Sequence, residues 1–251
     1  VDCKNVGRRH DDAGRDERAH VNSKSSIPST EVPWLLFEDQ SHWASVLSLG
    51  REVAWPRKHI VRHPGDPADS IFLIRSGTLK VAAGSYDGLQ RTLWFMGAGS
   101  LLGEAALFSG KPYQHYVTAV EDSTAVEFPA AVVHEHILGR HPELCRLRLV
   151  NLAAKSYIAS TQIEDVAFLT APQRIGRFLC GLAQARDSLH LPLTHTTIAE
   201  LLGIHRVTVS NALGLFRRAG LIDETDHGLT LTDAEALSAF VADPQLLNPQ
   251  L

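Results

Sequence analysis

The stretch Leu193-Thr-His-Thr-Thr-Ile-Ala-Glu-Leu-Leu-Gly-Ile-His-Arg-Val-Thr-Val-Ser-Asn-Ala-Leu213 decides how this chain is read. Its pattern predicts a helix, a three-residue turn opened by Gly203, and a second helix. Ile198, Leu202, Ile204, Val209, Leu213 and Phe216 fall at spacings that fill a small core between two helices. Arg206, Val207, Ser210 and Asn211 share the opposite face of the second helix, near its N-terminal end. Side chains of those types donate to, accept from or make apolar contact with base edges, as a helix seated in a major groove requires. An ordinary αα-hairpin with a merely polar face would leave the agreement of turn, apolar pattern and polar face unexplained. The expectation is a helix-turn-helix that reads duplex DNA.

Bulk properties set the frame. At 251 residues the chain has room for two modest domains with cores of their own. A composition of 44% hydrophobic and 21% charged residues is that of a globular protein. No apolar run approaches membrane-spanning length and no apolar leader opens the chain, so the expected location is the cytoplasm, with no membrane partner. A net charge of −4 argues against a broad electrostatic grip on nucleic acid. Locally the balance reverses: Leu201 to Ile222 holds no Asp or Glu, while His205, Arg206, Arg217 and Arg218 all fall there. That contrast suits a sequence-specific binder. Cys3, Cys145 and Cys180 form no CxxC pair, which disfavours iron–sulfur or zinc ligation, and the latter two read as buried thiols.

Residues 1–30 are polar and mixed in charge and read as a disordered tail. The chain opens on Val1, so part of that tail is open to being an uncertain start. Residues 31–139 carry short β segments with Gly or Pro between them. Ser70-Ile-Phe-Leu-Ile-Arg75 and Thr78-Leu-Lys-Val-Ala82 flank Ser76-Gly77, and Gln90-Arg-Thr-Leu-Trp-Phe95 follows Asp87-Gly88. Thr118-Ala-Val120 and Thr124-Ala-Val-Glu-Phe128 complete a compact antiparallel roll. His136 to Thr170 reads as one long helix, its central segment 140–170 serving dimerisation. Within it Cys145, Leu149, Leu152, Ser156, Ala159, Ile163 and Val166 make a heptad seam. A second row, Leu144, Leu147, Val150, Tyr157 and Ile158, predicts a helix serving two surfaces. Thr170-Ala-Pro172 breaks the pattern, and residues 171–251 hold a helix from Arg174 to Arg186, the helix-turn-helix, and a two-stranded wing around Thr225-Asp-His-Gly228. Thr232-x-x-Glu235 reads as a capping box for a last helix ending at Asp243-Pro244. The fold class is α+β.

In this order of parts, Ile71-Phe-Leu-Ile-Arg-Ser-Gly-Thr-Leu79, Gly99-Ser-Leu-Leu-Gly-Glu-Ala-Ala-Leu-Phe108 and, after the long helix, Ala167-Phe-Leu169 resemble the Crp/Fnr family of bacterial transcription regulators. The likeness covers residues 34 to 232. Val207-Thr-Val-Ser210 is similar to the branch sensing halogenated aromatics. The resemblance implies a cyclic-nucleotide-binding-like β-roll, a winged helix-turn-helix, a homodimer on the long helix, an inverted-repeat operator and contacts with RNA polymerase. It also implies an effector held between roll and helix that shifts an existing equilibrium of the reading heads. Arg206 would take a guanine through O6 and N7. Val207 stands where the family usually has Glu and would offer a methyl surface to thymine. Ser210 and Asn211 would contact a base edge or phosphate, Asn211 in place of the Arg of many members. Thr194, His195 and Thr197 would face phosphates, and His205 would cap the helix or touch a phosphate.

In the cyclic-nucleotide members a Gly-Glu pair takes the ribose and a following Arg-Ser pair takes the phosphate. Gly103-Glu104 is present, but the Arg-Ser position falls on Tyr113-Gln114. Between Gly103 and Ala119 the one formal cation is Lys111, so a buried phosphate would lack its counter-charge. Cyclic AMP is therefore disfavoured against a neutral or weakly acidic organic effector, with Tyr113, Tyr116, Trp94 and Tyr157 as wall residues. No spacing singles out a haem ligand among the 13 histidines, although His115 and His134 are candidates. No other cofactor and no catalytic residue are expected. Two alternatives stand beside the regulator. A cupin-like metal enzyme needs a His-x-His pair, which His115-Tyr-Val117 breaks and which His134-Glu-His136 supplies only beyond the roll. A dimeric scaffold without DNA binding would keep the same fold.

Overall fold

A computed structural model describes residues 35–36, 39–86 and 88–247. The tail expected over residues 1–30, Cys3 and Asp87 lie outside the described residues. The chain forms two compact units. One ends at Phe168 and includes Glu200–Ile204; the other comprises Leu169–Ala199 and the chain from His205 onward.

The first unit is a β-roll of two sheets. Its strands are β1 (Leu35–Leu36), β2 (Arg51–Trp55), β3 (Ile60–Arg62), β4 (Ser70–Ser76), β5 (Leu79–Gly84), β6 (Gln90–Met96) and β7 (Leu101–Leu102). A short helix α1 (Glu104–Ser109) then precedes β8 (Tyr116–Ala119) and β9 (Ser123–Pro129). One sheet has the order β1-β6-β5-β8-β3 and the other β2-β9-β4-β7. The apolar run on β4 reflects burial on both faces. Phe72 and Ile74 pack with Leu79, Val81, Met96 and Val117. Ile71 and Leu73 pack instead with Trp43, Phe128, Ile137 and Leu144. Gly77 makes the β4–β5 turn at φ +78°, and a Cβ there would collide with the Ser123 side chain. Strands β2, β3 and β7 had no separate signal in the alternation. β3 and β7 are only three and two residues long and pair with longer neighbours, while β2 is mostly exposed and pairs along its length with β9.

The helix expected from His136 to Thr170 is divided. A turn α2 (Ala130–Val132) runs into a π-helical turn over Val133–Leu138, the chain stays helical through Gly139 and Arg140 and breaks at His141, and α3 (Pro142–Phe168) starts on its proline. A proline in the first turn sacrifices no intrahelical bond, so it opens a helix more readily than it continues one. The faces of α3 also differ from expectation. Leu144 is buried, but the residues buried after it are Arg148, Asn151, Lys155 and Gln162. Lys155 Nζ donates to the Leu101 carbonyl at 2.8 Å, and Gln162 Nε2 donates to the Leu93 carbonyl at 2.5 Å. Polar side chains thus dock the helix on its own roll because strand carbonyls await them. Val150 and Tyr157, of the second apolar row, are 52% and 77% exposed. Of the heptad seam, Leu149, Ile163 and Val166 are exposed.

The second unit opens with α4 (Ala171–Arg186). Thr170 caps it in a reciprocal box with Gln173, and Pro172 sits inside its first turn, so the break lies before Thr170 and the helix begins earlier than Arg174. There follow β10 (His190–Leu191), α5 (His195–Leu202), α6 (Arg206–Arg218), β11 (Ile222–Thr225), β12 (Gly228–Leu231) and α7 (Ala234–Ala242). The wing has three strands, ordered β10-β12-β11. Phe216 meets Phe240 edge-on at 5.5 Å, and Gln173 Nε2 donates to the Val241 carbonyl at 3.0 Å, tying α4, α6 and α7 together. The cap of α7 is Asp233, which accepts from Ala236 N–H at 2.8 Å. Thr232, expected in that role, donates to the Gly220 carbonyl instead. No helix among the described residues is long and apolar enough to cross a membrane.

Candidate functional site

Gly203 adopts φ +61° at the end of α5, which lets the chain turn into α6. Ile198, Leu202, Ile204, Val209, Leu213 and Phe216 are all buried. The opposite side of α6 presents Arg206, Val207 and Asn211 to solvent; Val207 is 71% exposed, too open for a core residue. Ser210 lies between them, its hydroxyl donating to the Arg206 carbonyl at 3.0 Å. No Asp or Glu occupies the first turn of α6, and Arg217 and Arg218 complement the dipole at its far end.

Around this helix the structure builds a polar framework. His195 heads α5, with Nδ1 2.8 Å from Ser210 Oγ and Nε2 2.6 Å from Glu224 Oε1 on β11. Arg217 Nη1 reaches the other Glu224 oxygen at 3.5 Å. Thr194 Oγ1 accepts from Thr197 N–H at 3.1 Å and so caps α5. Thr197 is buried, and its hydroxyl meets that of Thr194, so its side chain serves the cap and not the surface. His205 stands at the N-cap of α6 without a side-chain cap bond. A crevice of about 300 Å³ lies between the start of α5, Arg206 and the wing tip at Glu224–Gly228. Glu224 had no signal in the sequence because its partner lies 29 residues away on a different element.

The first unit holds a cavity of about 450 Å³, lined by residues of β5, β6, α1, β8 and one side of α3. Of the wall residues expected, Gly103, Glu104, Tyr113, Gln114 and Trp94 line it. Tyr116 does not; it packs edge-on against His63 at 5.9 Å. Nor does Tyr157, which faces solvent on α3 because the docking face of that helix is polar. Gly103 turns the chain into α1 at φ +98°, and a Cβ there would collide with the Tyr113 hydroxyl, which places that hydroxyl at the Gly103–Glu104 corner.

One expectation about charge is overturned. A buried cation does reach the cavity: Lys155, from α3, donates to Glu104 Oε1 at 2.5 Å, with the two side chains 9% and 2% exposed. The sequence around Glu104 carries no sign of it, because the lysine comes 51 residues later. Its charge is matched by Glu104, so the pair is neutral as a unit. Burial pushes Tyr113 up to about 12, against the opposing pull of the Arg62 guanidinium, and lowers His115. His115 lines the cavity edge-on to Trp94 at 6.4 Å, while His134 meets Phe108 edge-on at 6.2 Å. Among the described residues no three His, Cys, Asp or Glu side chains gather as a metal site, which the cupin-like alternative requires.

Two family models match: a cyclic nucleotide-binding domain over residues 52–138 and a Crp-like helix-turn-helix domain over residues 173–240. The chain is 30% identical over 193 residues to a CRP-like cAMP-activated global transcriptional regulator of Mycobacterium tuberculosis, a match spanning 74% of this chain and 86% of the relative. It is 29% identical over 218 residues to the global nitrogen regulator of Synechocystis, spanning 81% and 96%. The fold matches the c-di-GMP-responsive regulator CLP of Xanthomonas campestris with a TM-score of 0.69 at 20% identity, over 77% of this chain and 99% of that one. It also matches OCPA-complexed CprK (TM-score 0.64, 20% identity, 79% and 92%).

Proposed function

This chain belongs to the Crp/Fnr family of transcription regulators, and on that premise we propose that it binds an inverted-repeat operator as a homodimer under the control of a small organic effector. The observation that carries the proposal is the outward face of α6, where Arg206, exposed Val207 and Asn211 stand on a helix braced by His195 and Glu224. Arg206 reads guanine, Val207 meets thymine methyl, and Asn211 contacts a neighbouring base edge or phosphate. The exposed Leu149, Ile163 and Val166 of α3 form the dimer seam, which sets half-sites about one helical turn apart.

The effector occupies the 450 Å³ cavity, a volume in the range of small-molecule sites. Relatives of similar identity are named for cAMP activation and for nitrogen control, so membership does not fix the effector. Cyclic AMP is disfavoured because Tyr113-Gln114 replaces the phosphate-binding pair and Lys155 is already bonded to Glu104. Both wall elements, α1 and α3, meet in that pair, so occupancy is felt by the dimer helix. Selection of bound duplexes from a random pool, with and without candidate small molecules, tests the reading. An enriched inverted repeat whose recovery depends on a small molecule is expected; no sequence preference under any condition would overturn it.

A further inference from the structure

Three polar atoms of residues lining the cavity are buried without a hydrogen-bond partner in the protein: Glu104 Oε2, Trp94 Nε1 and the Tyr113 hydroxyl. Paired with Lys155, Glu104 Oε2 accepts only and Trp94 Nε1 donates only, whereas the Tyr113 hydroxyl can do either and so does not restrict the partner. Around them the wall is largely apolar, with Val81, Met96, Leu102, Ala106, Val117 and Leu152. Buried polar groups of this kind are satisfied in the functional state of a protein, by the protein, by water or by what it binds.

The charges restrict what can satisfy them. An anion placed against Glu104 Oε2 adds a second negative charge to a carboxylate whose one buried counter-ion, Lys155, is already engaged by Oε1 and by the Leu101 carbonyl. A cation meets Lys155 itself. Lys111, the other cationic wall residue, is exposed and screened by solvent. We propose that the effector is an uncharged, mostly apolar molecule that gives an O–H or N–H to Glu104 Oε2 and receives the Trp94 indole N–H on an oxygen or nitrogen. This inference rests on the reading of the cavity as the effector site. Glu104 then bonds the effector through one oxygen and α3 through the other.

Three probes of one body separate the possibilities: 2-naphthol, its methyl ether, which keeps the acceptor and loses the donor, and 2-naphthoate, which is anionic. Calorimetric titration into the full chain should show naphthol binding about tenfold or more tighter than either of the others, the loss expected when a charge-assisted hydrogen bond is removed or a like charge is buried. Glu104→Gln should reduce the preference of naphthol over its ether to about threefold or less. If that variant fails to fold, the indole N–H resonance of Trp94, assigned with Trp94→Phe, provides the second readout and should move on naphthol addition to the native chain. Equal binding of the ether, tighter binding of naphthoate, or no binding of any probe would overturn the inference. A chain that selects an operator but prefers naphthoate keeps its regulator reading and loses this one. A chain that discriminates the probes as stated yet selects no operator loses the regulator reading alone.

Discussion

Nε2 of His195 on α5 and Oε1 of Glu224 on β11 lie 2.6 Å apart, and Nδ1 of the same ring lies 2.8 Å from Ser210 Oγ on α6. One imidazole therefore joins the first helix, the reading helix and the wing. The bond is partly exposed, which places it toward the lower end of charge-assisted bonds. Glu224→Ala should cost about 1 kcal/mol of stability in urea titration. The Arg217 contact to the same carboxylate is more exposed and should add little: Arg217→Ala is expected within about 0.5 kcal/mol of wild type.

Arg206 projects from the first turn of α6 on its solvent side. Arg206→Ala should weaken operator binding by about 1–3 kcal/mol and relax preference at one base pair of each half-site, as read by fluorescence anisotropy against single-base operator variants. An equal loss on all duplexes would assign Arg206 to phosphate contact instead.

Leu149 and Ile163 are 68% and 69% exposed on α3. A charge placed there meets water in the isolated protomer but apolar surface in a dimer. Leu149→Glu combined with Ile163→Glu should sediment as a folded monomer with an unchanged circular dichroism spectrum. A dimer that persists would move the seam elsewhere.

Lys155→Met removes one member of a desolvated pair and leaves Glu104 charged in an apolar wall. A loss of about 3–5 kcal/mol in chemical denaturation is expected. Adding Glu104→Leu should restore most of it, because the stranded carboxylate is then gone. A double variant no better than the single would mean that lysine packing, not charge, is what matters.

Tyr113 ionises at about 12 in the folded chain against 10.0 for an ordinary tyrosine. Between those values the unfolded chain gives up the phenolic proton and the folded chain keeps it. Its contribution to stability is therefore complete below pH 10 and is lost as pH rises toward 12. Of the four tyrosines in the chain, the one titrating last at 295 nm should disappear in Tyr113→Phe.

The helix-turn-helix was legible because its whole signal is local: the Gly203 turn and six apolar positions within twenty residues. The main strands of the roll were legible for the same reason, as was the family from the motifs around Gly77 and Gly103. What escaped was tertiary. Arg148, Asn151, Lys155 and Gln162 form a buried stripe that a hydropathy pattern assigns to solvent, since nothing in the sequence marks the strand carbonyls two of them reach. Tyr157 was misplaced by the same inversion. Lys155 is far from Glu104 along the chain, so only the tertiary fold makes it the counter-charge. Glu224, too, becomes informative only when β11 is brought beside α5.

Lys155 and Gln162 sit two turns apart on α3, so their bonds to Leu101 and Leu93 clasp the helix at points about 10 Å from each other. A greasy contact would tolerate slippage by small increments, each new position nearly as good as the last. Two directional clasps leave no such play. Any displacement of α3 along the sheet would have to break both, so a half-shifted helix is the arrangement the fold disfavours most.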